Sequence, residues 1–292
     1  MALSFIFRPI PFVPLDRPMR VLVTGAAGNI GSYMAEQLNQ RYQLTLMVLG
    51  SERPDSIERL KPLGNVVSAD VGDLDRLKGI CEGIDVVLHL AGNPRAEAKW
   101  ADLLRANIIG TYNVFAAALA AKCRRVIYAS SVHAVSGYPV DVQIKSSDPT
   151  NPGDIYGVSK AFGESLARYM AEQEGLSAIC LRIGAFQPLS NAAEGAGIKM
   201  LDVFVSDRDL LQLIEKSIED LRLQFALFHG VSDSRFKRLD ISDARELLGY
   251  SPQDDVTQLH PDLSPLKLRD ALQGHSLSTD GRASGMRDDI QR

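Results

Sequence analysis

Tyr156 and Lys160 open a helix-like stretch whose apolar face runs Ile155, Val158, Phe162, Leu166 and Tyr169. Residues four apart share one helix face, so the phenol and the ammonium point into the same cleft. A free tyrosine titrates near ~10 and is a poor base at neutral pH. A neighbouring ammonium, together with the positive ring of a bound cofactor, favours the phenolate and would lower it toward the range of a working base. Tyrosine and lysine also fall at this spacing by chance, and the pair needs a companion. A glycine-rich turn supplies one: Gly25, Gly28 and Gly31, with Asn29 and Ile30 between the last two. Glycine there lets the backbone turn sharply and approach a pyrophosphate, which rests on the N-terminus of the following helix. With 23 glycines in 292 residues, a triplet alone is weak. Its setting, an apolar strand before and a helix after, is what a dinucleotide-binding turn requires.

These groups must be positioned by an alternating chain. A short apolar run at 20–24 reads as a strand buried on both faces, and runs at 44–49, 65–70, 85–92, 125–131 and 177–184 repeat the strand pattern. Helix-like segments lie between them, at 30–38 and near 55–62, 73–82, 101–121 and 154–174. Such alternation predicts an α/β fold, a doubly wound parallel sheet with helices on both faces. After Gly184 the pattern loosens. Residues 188–197 read as a loop. A helix over 206–221 opens on the pair Ser206 and Asp209, a strand follows at 225–230, and a short helix ends at Gly249. The expected organisation is an N-terminal arm over 1–18, a dinucleotide-binding domain over 19–184, a small substrate-binding region over 185–257 and a mobile tail over 258–292.

Composition narrows the function further. Hydrophobic residues make up 45% and charged residues 23%, which is ordinary globular usage and argues against wholesale disorder. A net charge of −4 gives no general attraction for phosphate backbones, so nucleic acid is not the expected partner. No run reaches the ~18 uninterrupted apolar residues of a membrane span, and no membrane partner is expected. Cys81, Cys123 and Cys180 are too few and too scattered for a zinc site or disulfide framework. Each lies in an apolar stretch and reads as packing; no metal site is expected, and the chain reads as cytoplasmic. His89, on a buried strand, reads as core.

The spacing Gly-x-x-Gly-x-x-Gly resembles the extended branch of the short-chain dehydrogenase/reductase superfamily, the NAD-dependent epimerase/dehydratase family. Further matches follow in order: Asp70 and Val71 where that family contacts adenine, Leu90, Ala91 and Gly92 ending the fourth strand, and Asn107 on the next helix. Ser131 completes the set, 25 residues before Tyr156. The resemblance implies that Ser131 hydrogen-bonds the reacting oxygen, Tyr156 takes its proton, and Lys160 holds the cofactor ribose and the phenolate. Cofactor choice is balanced. An acid about 20 residues beyond the glycines would bind the ribose 2′-hydroxyl of NAD. Here the second strand is followed by Ser51, Glu52 and Arg53. Ser51 and Arg53 could receive the 2′-phosphate of NADP, whereas Glu52 argues for NAD, and the reading inclines slightly to NADP.

Within the family the chain is most similar to the uronate dehydrogenase group, over roughly Met19 to Pro252. The similarity is strongest in ASSVHAVSGYP (129–139), YGVSKAFGE (156–164), LRIGAFQP (181–188) and FVSDRDLLQLI (204–214). It implies oxidation of a hydroxyl, the anomeric one, of a small sugar or sugar acid. His133 matches that group's substrate histidine; Val132 stands for an asparagine, Ala185 for a serine, and Lys199 for the arginine that clamps a carboxylate. Arg95 offers another cation for an anionic substrate. His133 could equally be a satisfied loop histidine and Lys199 a solvated surface lysine. Two other readings use the same fold: a nucleotide-sugar epimerase or reductase, and a redox sensor that binds dinucleotide without turnover. Family members often pair through the helices near 101–121 and 154–174, so a homodimer is expected.

Overall fold

The computed structural model describes residues 16–193 and 201–259. Lys199, residues 1–15 of the expected arm and residues 260–292 of the expected tail lie outside the described residues. The chain begins its sheet with β1 (Arg20–Thr24), followed by α1 (Asn29–Leu38), β2 (Gln43–Val48), α2 (Pro54–Glu58), β3 (Asn65–Ser68) and α3 (Leu74–Cys81). The second half runs through β4 (Val86–His89), α4 (Trp100–Leu103), a π-helical turn (Leu104–Ile109), α5 (Gly110–Ala120), β5 (Arg125–Ser131), α6 (Ile155–Glu172) and β6 (Ser177–Ile183). Beyond these come β7 (Ala185–Gln187), α7 (Leu189–Ala193), β8 (Phe204–Ser206), α8 (Asp207–Glu219), β9 (Phe225–Gly230), α9 (Ser242–Leu248) and α10 (Val256–Leu259).

Seven strands form one parallel sheet in the order β3-β2-β1-β4-β5-β6-β9. Alternate side chains of a strand face opposite ways. Val21 and Val23 therefore enter the core under α1 and α8, with Met34, Leu38 and Ile214. Leu22 enters the core of the other face, with Val87, Phe115 and Ala167. That second core also holds Cys81, Cys123 and Cys180, all buried free thiols. The strand order reverses between β1 and β4, and at such a switch point the carboxyl ends of the strands open a crevice.

One helical run among the described residues, Trp100–Ala120, is long and apolar enough to cross a membrane. Half of it is buried, with Val114, Phe115, Ala117 and Ala118 packed into the second core. The expected single helix over 101–121 carries a π turn in its middle. The expected loop from Pro188 contains a short helix, α7, and β7 pairs with β8 in a two-stranded parallel ribbon. Ser206 caps α8 through the Asp209 amide at 3.2 Å, as the pair Ser206 and Asp209 implied. Gly249 ends α9 in the left-handed region, at φ +66°.

Candidate active site

The β1–α1 turn has the shape of a phosphate cradle. Gly25 sits at φ +70°, and a Cβ there would meet Ala91 N at 2.9 Å. A Cβ on Gly31 would lie 2.2 Å from Gly25 O, so only glycine lets α1 start so close to the turn. Gly28 precedes α1 and provides no side-chain cap, which leaves the helix's positive end open to an anion. Asn29 is exposed at the first position of α1. A cavity of about 620 Å³ opens beside this turn, lined by Gly25, Gly28, Asp70, Val71, Leu90, Ala91 and Gly92. These residues fit a dinucleotide: a cradle that a side chain would fill, a bare helix N-terminus and a cleft along the switch point.

Glu52, rather than Ser51 or Arg53, lines that cavity. Its carboxylate accepts from Leu49 N at 2.9 Å and Gly50 N at 2.7 Å, which turns it back toward the end of β2. Ser51 and Arg53 are exposed outside it. Asp70 accepts from Gly72 N and from Arg105 Nη2, each at 2.7 Å, and these donors hold its carboxyl below the usual range. Arg105 lines the cavity as well.

A second cavity of about 230 Å³ adjoins the first at Leu90, Gly92 and Asn93. Its walls bring together Ile30, Ser131, Val132, His133, Tyr156, Lys160 and Ala185. Ser131 ends β5, and its Oγ accepts from His133 N at 3.2 Å. Tyr156 and Lys160 come one turn apart from α6, which Asp154 caps by accepting from Gly157 N at 2.7 Å. The same Asp154 holds His133 Nδ1 at 2.6 Å, and the imidazole meets the Tyr156 ring edge-on at 5.3 Å. Asp154 was not among the expected site residues, although an aspartate directly before a helix marks a cap. Asn107 lies on the π turn; its amide grips Asn93 N and O and donates to Ser159 Oγ, which donates to Tyr156 O. Arg95 is exposed and does not line the cavity.

In the protein alone, burial opposes the expected lowering of the phenol. The phenol of Tyr156 is pushed up to about 12, not down. Burial is the largest cause; the hydrogen bond with Ser131 works against it, and Asp154 adds to the rise. The ammonium nitrogen lies 5.6 Å from the Tyr156 ring centroid and donates to Ala129 O at 2.8 Å. Lys160 is itself pushed down to about 8 by burial, with Glu164 opposing. Desolvation is thus the largest effect at both groups.

A parallel sheet with a glycine cradle at its switch point, and Ser131, Tyr156 and Lys160 gathered beside it, defines a nicotinamide dinucleotide-dependent oxidoreductase of the short-chain type. Residues 21–187 match the model of the NAD dependent epimerase/dehydratase family, and the chain belongs to that family. It is 32% identical to the NAD-dependent glucose-6-phosphate dehydrogenase of Haloferax volcanii, over 86% of this chain and 99% of that one. It is 33% identical to the L-arabinose 1-dehydrogenase (NAD(P)(+)) of the same organism, over 81% and 97%. Among solved structures, a single-residue variant of uronate dehydrogenase from Agrobacterium tumefaciens, complexed with NAD, superposes with a TM-score of 0.77. That match is 29% identical and covers 90% of this chain and 98% of the other.

Proposed function

We propose that this protein oxidises the anomeric hydroxyl of a free sugar or sugar acid to the lactone, with a nicotinamide dinucleotide as co-substrate. The observation that carries this reading is the meeting of Ser131, Tyr156 and Lys160 on the wall of a cavity that joins the dinucleotide cleft. The Ser131 hydroxyl orients the sugar oxygen against the phenol, and Tyr156 takes its proton. Lys160, fixed by Ala129 O, presents its ammonium beside the phenol and favours the charge formed there. Bound in the cleft, the nicotinamide supplies the hydride acceptor. His133, aimed by Asp154, borders the same space and contacts the sugar. Residues 185–257 form the substrate-binding side, with Ala185 on its wall and Lys199 as the cation for an acidic sugar.

The cofactor is NAD rather than NADP. Glu52 turns its carboxylate toward the end of β2 inside the cleft, where it suits a ribose hydroxyl and repels a 2′-phosphate. The protein is a homodimer paired through the segment 104–120 and α6, where Ile109, Tyr112, Val158 and Tyr169 remain exposed; light scattering of the purified protein reads its mass. The relatives act on sugars that differ in charge, so the deciding experiment is a panel. It takes a uronate, arabinose, glucose 6-phosphate and a nucleotide sugar, each with NAD and with NADP, followed by nicotinamide absorbance. Turnover of a free sugar with NAD, and none of the nucleotide sugar, is the expected outcome. Turnover of the nucleotide sugar alone moves the assignment to an epimerase or reductase, and binding without turnover moves it to a sensor.

A further inference from the structure

Glu164 follows Lys160 by one turn of α6 and is buried, and the proposed reaction makes no use of it. It accepts from three donors. Arg182 Nε and Nη2 reach it bidentately from β6, each at 2.9 Å, and Ser130 Oγ from β5 at 2.5 Å. Ser130 is the immediate neighbour of Ser131, so this carboxylate ties the catalytic helix to both strands beneath the site. A planar fork on a carboxylate fixes orientation as well as distance.

Asp154, at the start of the same helix, faces Tyr156 and pairs with His133, and several other ionisable groups around this place are kept neutral by burial. His89 on β4 and His229 on β9 are held well below the usual imidazole range by burial, with Lys160 and Arg182 adding to it respectively. Tyr128 on β5 and Cys180 on β6 are pushed up, again chiefly by burial, and Tyr156 likewise. Arg168, on the outer side of α6, pairs with Glu172 near solvent. Apart from the pair of Asp154 and His133, the buried charges among these groups are Lys160, Arg182 and Glu164, two positive and one negative. Residues four apart on a helix are neighbours, so Glu164 stands next to both cations at once.

We propose that Glu164, clamped by Arg182 and Ser130, is the positioning residue of the catalytic helix and the buried counter-charge that keeps Lys160 an ammonium. The role follows from desolvation. A buried lysine tends to shed its proton, and a neutral amine cannot favour a phenolate. Lys160 already titrates at about 8, and Glu164 is what opposes the fall. Arg182 orients the carboxylate through its fork and brings a second positive charge to it. The inference rests on the proposed dehydrogenase mechanism for its consequence, but not for its test.

The test is the titration of Lys160 in the cofactor-free protein, read by NMR on lysine labelled at Cε and assigned with Lys160→Met. Glu164→Gln keeps the shape and removes the charge, so the Lys160 midpoint should move to lower pH. Arg182→Met removes the competing cation, so the midpoint should move to higher pH. A purely structural clamp would not move the two in opposite directions. The alkaline limb of kcat/KM should shift the same way as each midpoint, for whichever sugar of the panel turns over. If no sugar turns over, the mechanism fails while the titration still decides the role of Glu164. An unshifted midpoint in Glu164→Gln, or shifts of the same sign in both variants, overturns the proposal. Should one variant not fold by circular dichroism, the sign of the shift in the other decides.

Discussion

Tyr156 and Lys160 are buried one helical turn apart, and burial acts on them in opposite directions: the phenol clings to its proton and the ammonium is close to losing its own. In the proposed mechanism, proton transfer from a sugar hydroxyl therefore depends on charges brought to this place rather than on an intrinsically acidic tyrosine. Replacing Tyr156 with Phe keeps the ring and removes the acceptor. Cofactor affinity, read by fluorescence titration, should persist, while turnover falls about 10²–10⁴-fold, the usual contribution of a positioned acid–base group. A variant with near-normal turnover would remove Tyr156 from the mechanism. Glu52 is the residue on which the proposed preference for NAD rests. Glu52→Ser should shift the ratio of kcat/KM for NAD over NADP toward NADP by about 10–100-fold, matching a lost charged hydrogen bond of about 1.5–3 kcal/mol. Arg53→Ala, exposed beyond the cleft, should leave that ratio unchanged.

At the scale of elements, the turn between β1 and α1 has no slack. In Gly31→Ala the new Cβ would stand 2.2 Å from the backbone oxygen of Gly25, which no side-chain motion relieves. Overpacking of this kind costs about 1–3 kcal/mol, and it displaces the cradle itself. Dinucleotide binding should weaken more than tenfold by calorimetric titration; unaltered binding would show that the turn does not carry the phosphates. This turn, the six runs that became β1 to β6, and the helix bearing Tyr156 and Lys160 were legible in the sequence. Buried parallel strands are continuous apolar runs, and helix spacing sets which residues share a face. The π turn at Leu104–Ile109 was not, because a one-residue change of helical register leaves the apolar pattern of 101–121 intact. The ribbon β7–β8 was missed because three-residue strands are shorter than any alternation that could be read. Glu52 reaches the cleft only by curling back onto the amides of Leu49 and Gly50, a local conformation that residue type does not announce. The direction of the Tyr156 shift depends on how much water is excluded, which spacing does not reveal.

For the whole molecule, the polar groups buried in the sheet predict how the fold responds to acid. His89 lies in the central strand β4 with Nδ1 against Thr24 Oγ1 at 2.8 Å, and its Nε2 is buried without a partner. His229 lies in β9, its Nδ1 at 2.8 Å from Asp240 O, and its Nε2 is likewise buried without a partner. Burial holds His89 down to about 3 and His229 to about 4, whereas an unfolded histidine titrates near ~6.5. A folded value below the unfolded one means that the unfolded chain takes up protons first as the pH falls. Stability from these two residues is therefore complete above ~6.5 and is lost progressively as the pH falls toward about 4 and then 3. The carboxylates held low by their partners, among them Asp70, Asp85, Asp220 and Asp254, give up stability only below the ordinary carboxylate range. Asp243, raised by burial, works in the opposite sense near that range. The carboxylates held low stay ionised between ~6.5 and ~4.5 and Asp243 acts in the opposite sense, so a loss of stability across that interval is the signature of the buried histidines. The melting temperature of the cofactor-free protein should decline across that interval. In the double variant His89→Gln, His229→Gln the decline should flatten, since glutamine keeps a hydrogen-bonding group and has no proton to gain. The double variant is compared with each single variant, so that a loss of packing, which lowers the whole curve, is separated from a change of slope. An undiminished slope in the double variant would place the acid response elsewhere in the molecule.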